Sequence, residues 1–120
     1  MESYRRFCGT APEHLMFGLR ESIDMIFEEG MNAVFARHAR NAQAVREAVA
    51  VWCSDGPMEF NAIIHEQRSN SITCIRTPED AFADDIRATA RSTFNVSMGG
   101  GLAALAGRAF RIGHMGDLND

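Results

Sequence analysis

The chain has 120 residues, a formal net charge of -4 and a pI of about 5.5, with 46% hydrophobic and 23% charged residues. That size holds one domain with a core, and that composition belongs to a globular chain that folds in water. An acidic balance without a basic cluster argues against nucleic acid as a partner, and the lack of an apolar run of bilayer length argues against a membrane span.

Thr10-Ala11-Pro12-Glu13 has the form of a capping box, with the Thr10 hydroxyl and the Glu13 carboxylate closing the start of a helix. Along that helix Leu15, Met16, Leu19, Ile23, Ile26 and Phe27 fall on one stripe, which predicts a core face. Phe17 and Met25 lie off the stripe and call for a second contact surface. Gly30 suits a left-handed helix end. A second amphipathic helix then runs through Val34, Phe35, His38, Ala42, Val45, Val49 and Trp52. His38 is read there as a hydrogen-bonded core or boundary residue without a functional role.

Ser54-Asp55-Gly56-Pro57 breaks the second helix, and Met58 to Ile64 and Ser71 to Thr77 read as strands joined through Gln67 to Asn70. After Pro78, the residues Phe82, Ile86, Ala90 and Phe94 mark one face of a helix of about three turns. Asn95 to Met98 and Arg108 to Met115 are the last strands, separated by a bend at Gly99-Gly100-Gly101. The predicted order is α-α-β-β-α-β-β in one unit over residues 1–120, an α/β (α+β) arrangement with a small mixed or antiparallel sheet. Leu118-Asn119-Asp120 has the character of a cap for a further, closing helix.

All twelve basic residues are arginine, and the chain has no lysine. Cys8, Cys53 and Cys74 are odd in number and in no CxxC spacing, so neither a disulfide framework nor a metal site is expected. Met1 to Phe7 has no apolar h-region. These features predict an unexported, cytoplasmic chain.

Gly9-Thr10-Ala11-Pro12-Glu13-His14, Phe17-Gly18-Leu19-Arg20-Glu21, the run from Glu29 to His38 and the tail from Gly107 to Gly116 resemble serine-glyoxylate and alanine-glyoxylate aminotransferases in one register. The resemblance implies a class V, fold-type I enzyme that uses pyridoxal 5'-phosphate. It is a homodimer in which this chain corresponds to the small C-terminal domain and the large cofactor domain is absent. It further implies that Thr10 contacts the cofactor phosphate of the neighbouring subunit and that Arg111 binds the substrate carboxylate. The implied substrates are an amino acid, serine or alanine, and the 2-oxo acid glyoxylate. A tyrosine that some members use as a further phosphate contact is Phe7 here, and Ala103 replaces a glycine common in the loop.

Strand alternation supports Arg111 independently, because its face neighbours are Ala109 and Gly113, which leave room around a guanidinium suited to carboxylates. An ion pair with one of the sixteen acidic residues is the competing reading, and the commoner one by residue chemistry alone. For Thr10 the competing reading is capping alone. Gly99 to Gly101 matches no phosphate-loop fingerprint. Transamination needs a lysine, so no catalytic residue is assigned, and the chain by itself is expected to be inactive. The other readings are a standalone binder of small carboxylates and a structural remnant.

Overall fold

A computed structural model describes residues 9–78 and 82–118. The expectations placed on Met1 to Phe7, Cys8, Asn119 and Asp120 lie outside the described residues. Two compact units are present, Met1–Phe35 and Ala36–Asp120.

In the first unit, α1 (Glu13–Glu29) begins two residues later than the capping box requires. Its cap residue is Pro12, and no side chain closes the end. The reason lies in Ala11: a residue preceding proline is pushed out of the helical region, so Ala11 cannot serve as the first helical residue behind Thr10. No residue of α1 is buried. The stripe predicted as a core face is exposed instead, from Leu15 and Phe27 at 73% and 74% down to Ile26 at 37%. Periodicity identifies a face that wants cover, and the described residues leave that of α1 exposed. Gly30 ends α1 with a positive φ of 86° but with ψ of 133°, outside the left-handed helical region expected, and its amide reaches the Ile26 carbonyl at 2.8 Å. Its own carbonyl accepts from Val34 at 3.0 Å, so one residue closes α1 and opens α2 (Met31–Asp55).

The second unit contains most of α2, a four-stranded antiparallel sheet and α3 (Ala83–Phe94). The strands are β1 (Glu59–Phe60), β2 (Ile72–Arg76), β3 (Gly99–Gly100) and β4 (Ala109–Gly113), in the spatial order β1-β2-β4-β3. Two helices and an antiparallel sheet of this kind make the class α+β, with the predicted element order. Val49 of α2, Ile75 of β2, Ala83 of α3 and Phe110 of β4 meet in one fully buried cluster, with Val45, Cys53 and Ile86 packed around it. The helices therefore cover one face of the sheet. The other face carries Ile72, Cys74, Arg76, Ala109, Arg111 and Gly113, of which only Ala109, at the start of β4, is fully buried.

Two strands differ from their predicted spans. β1 stops at Phe60 because Arg68 folds back over it, its guanidinium 3.7 Å from the Phe60 ring centre and its Nε on the Ala62 carbonyl at 3.0 Å. That side chain satisfies a backbone group that a longer ladder would need. The third strand falls on Gly99 and Gly100, which the sequence places in a bend, and not on Asn95 to Met98. Asn95 adopts the left-handed conformation, φ 55° and ψ 31°, and ends α3 with its amide on Ala90, so extended structure starts only after it. A side chain at Gly101 would overlap the Leu105 carbonyl, and glycine alone fits there.

His114 sits 2% exposed beyond β4. Its Nδ1 lies 3.1 Å from the Asn70 carbonyl, which can only accept, so the ring carries its proton there and Nε2 accepts from the Thr73 hydroxyl at 3.0 Å. Burial holds its pKa below the ordinary 6.5, opposed by its backbone hydrogen bonds and assisted by the charges of Arg46 and His38. The unfolded chain then binds more protons than the folded one between the lowered pKa and 6.5. Stability from this group is full above about pH 6.5 and is lost as pH falls through the lowered folded value. The urea midpoint is expected to drop between pH 7.5 and pH 5, before carboxylates titrate. A His114 ring that titrates by NMR at or above 6.5 would contradict this.

Candidate functional site

Arg111 is the central residue of β4 and pairs across the sheet with Cys74 on one side and Gly99 on the other. Paired residues of an antiparallel ladder share a face, so all three lie on the face the helices leave open. Its half-buried side chain is anchored at one point, where Nε donates to the Gly100 carbonyl at 2.7 Å. Gly99 supplies no side chain, and even an ideal Cβ there would lie 3.4 Å from Nε and one terminal nitrogen, in plain contact. The guanidinium rests against bare backbone.

Among the described residues no carboxylate lies within ion-pair distance of Arg111, so the predicted alternative, a structural salt bridge, is not formed there. Cys74 does not compete either. Burial pushes its thiol above the ordinary 9.0, only partly offset by the Arg111 charge, so it stays neutral near pH 7. An arginine held by Nε keeps the edge that bears its two terminal nitrogens for a planar acceptor. Further along the same face Arg76 stands 4.0 Å from Glu59, both well exposed, a contact of little energy.

Thr10 lies in the other compact unit, exposed, just before α1. It borders a hollow of about 390 Å³ with Ala11, Pro12, Glu13, His14 and Leu15. The hydroxyl is not spent on capping. The Glu13 amide reaches the Ala11 carbonyl at 2.9 Å and the Met16 amide the Pro12 carbonyl at 3.0 Å. Those of His14 and Leu15 belong to the first turn, where no preceding turn offers carbonyls. Such amides and a free hydroxyl suit a phosphate, although the Glu13 carboxylate in that turn opposes a second anion.

Two features of the site were not foreseen from the sequence. The carbonyl of Gly100 anchors Arg111, and Arg87 of α3 holds the preceding segment, its Nε on the Met98 carbonyl at 2.9 Å. The run of glycines was the available signal. His38 takes the predicted boundary role, its Nε2 accepting from the Gly116 amide at 3.2 Å. Among the described residues no three His, Cys, Asp or Glu side chains converge as for a metal ion, and no helix is long and apolar enough to cross a membrane.

No protein-family profile matches the sequence. Serine-glyoxylate aminotransferase of Methylorubrum extorquens is 41% identical over 92% of the chain, and L-aspartate-glyoxylate aminotransferase of Paracoccus denitrificans is 41% identical over the same share. The chain spans 27% of each. Among solved structures, an alanine-glyoxylate aminotransferase from Nostoc sp. superposes with a TM-score of 0.72 at 29% identity, over 90% of this chain and 27% of that one. In sequence and in fold the chain resembles the class V aminotransferases. Within that class its likeness is to the serine-glyoxylate and alanine-glyoxylate group, and the matched segment is consistent with their C-terminal part.

Proposed function

We propose that this chain supplies the substrate-carboxylate arm of a pyridoxal-phosphate aminotransferase that transfers an amino group from an amino acid to glyoxylate. The observation that carries it is the Arg111 guanidinium on the open face, anchored through Nε and without a carboxylate partner among the described residues. Bidentate contact with an α-carboxylate would fix both position and rotation of the substrate, which is where orientation enters the rate. Thr10, with the first-turn amides of α1, would contact the cofactor phosphate of the neighbouring subunit.

Pyridoxal phosphate supplies, when bound, an electron-poor ring that stabilises negative charge at the amino acid's α-carbon. The residues here fit its phosphate and not its attachment, since the chain has no lysine. A lysine-bearing cofactor domain is therefore needed in the assembled enzyme, which would be a homodimer working in the cytoplasm. Relatives of equal identity are named for serine and for L-aspartate as donors, with glyoxylate in common. The proposed acceptor is glyoxylate, which those names share, and the proposed donor is serine or alanine.

The test is an NMR titration of the chain with glyoxylate. The Arg111 side-chain signals and the backbone amides of β4 beside them are expected to shift in the native chain, and those amides to stay put in Arg111→Lys. An Arg111 that never responds while the chain remains folded would leave it a structural element. A second expected result concerns the cofactor: incubation with pyridoxal phosphate gives no visible absorption band that survives gel filtration, because arginine cannot supply the amine. A surviving band mapped to a side chain would contradict this.

A further inference from the structure

The Gly99–Gly100 strand sits at a sheet edge between two arginines. On the open face Arg111 donates Nε to the Gly100 carbonyl at 2.7 Å. On the helix-covered side Arg87, on α3, donates Nε to the Met98 carbonyl at 2.9 Å, while its Nη1 pairs with Asp84 at 2.7 Å one turn back on the same helix. A Cβ built on Gly100 would come within 3.1 Å of that Nη1 and 3.3 Å of its guanidinium carbon, so the planar group lies directly against the glycine backbone. A strand of two glycines has high conformational freedom and no side chains to pack. Its backbone pairing to Phe110 and Arg111, together with the Gly101 amide on the Ala109 carbonyl at 2.8 Å, fixes it only along the β4 edge.

We propose that Arg87 is a positioning residue for Arg111: by holding Met98 and backing Gly100 from the helix side, it sets the carbonyl on which the Arg111 guanidinium is aimed. Asp84 keeps Arg87 turned toward the strand. Neither residue touches substrate. The role rests on Arg111 being the carboxylate ligand, but the geometry it controls can be read without any ligand.

Side-chain NMR of the full chain gives that reading through exchange of the Arg111 Nε proton with water. In Arg87→Ala this exchange is expected to rise about tenfold, the change for one charged hydrogen bond made free to open, while amides of the β2 and β4 ladder keep their protection. Gly100→Ala, which displaces the Arg87 guanidinium without removing it, should raise the same exchange by a smaller factor and serves if Arg87→Ala does not fold. Arg87→Lys, able to reach Met98 with one donor, should restore part of the protection. Unchanged Arg111 exchange in both Arg87→Ala and Gly100→Ala would overturn the proposal, as would equal acceleration throughout the β2 and β4 ladder, which marks general loosening. An Arg111 that loses protection in Arg87→Ala, yet ignores glyoxylate in the native chain, would support the positioning role while removing the ligand role.

Discussion

In an assembly that carries the lysine-bearing cofactor domain, Arg111→Ala is expected to lower kcat/KM for the amino acid and for glyoxylate together. The loss should be about 1.5–3 kcal/mol, roughly tenfold to 150-fold, for a charged hydrogen-bonding partner removed. If Arg111 is the carboxylate ligand, both half-reactions present a carboxylate to the same guanidinium, and neither substrate should escape. Arg111→Lys keeps the charge and loses the planar fork, and should recover only part of the rate. Stability should move by only about 1.5 kcal/mol, since the hydrogen bond that the arginine makes within the fold is the one to Gly100. Steady-state kinetics with both substrates, paired with a denaturation curve, decide the matter. A variant that unfolds early yet keeps its substrate affinity would make Arg111 a structural residue.

The neighbouring substitution should behave in the opposite way. Phe110 is 1% exposed and the largest buried side chain, packed among Val49, Ile75 and Ala83 on the covered face of β4. Phe110→Ala removes the ring and leaves a void between two helices and the sheet, at a cost of about 3–5 kcal/mol. Against a total of about 5–15 kcal/mol, that is enough to shift the urea midpoint severely or to leave the second unit unfolded. Circular dichroism through a urea series measures it. A midpoint within about 0.5 kcal/mol of the native chain would show that the cluster is not the core. One strand thus separates the two functions of its faces, residue by residue.

Much of this was legible in the chain because it depends on period. The alternation of Phe110 and Arg111 separates core from open face by geometry alone, and the helical spacing of Ala42, Val45 and Val49 marks the buried side of α2. Element order followed from the same patterns. Three things did not follow. The start of α1 depends on the restriction proline places on Ala11, which outweighed a well-formed capping pattern. The position of β3 depends on the conformation of Asn95 and on carbonyls taken by arginines distant in sequence. The burial of the α1 stripe depends on what covers it, and periodicity does not name the cover. Thr10 and Arg111 were identified from motif likeness, and the open face gives Arg111 a geometric reason that the motif alone lacks.

The two edges of the sheet have a further consequence. Both are strands of only two residues, Glu59–Phe60 and Gly99–Gly100, flanking inner strands of five. A foreign strand that tried to extend the sheet would meet at one edge a charged residue and the folded-back Arg68, and at the other a glycine pair whose Gly100 carbonyl is taken by Arg111 and whose preceding Met98 carbonyl is taken by Arg87. Neither offers the row of unpaired amides and carbonyls from which cross-β aggregates grow. The hydrogen bonds that hold the Arg111 guanidinium and the segment before it therefore lie where the sheet ends.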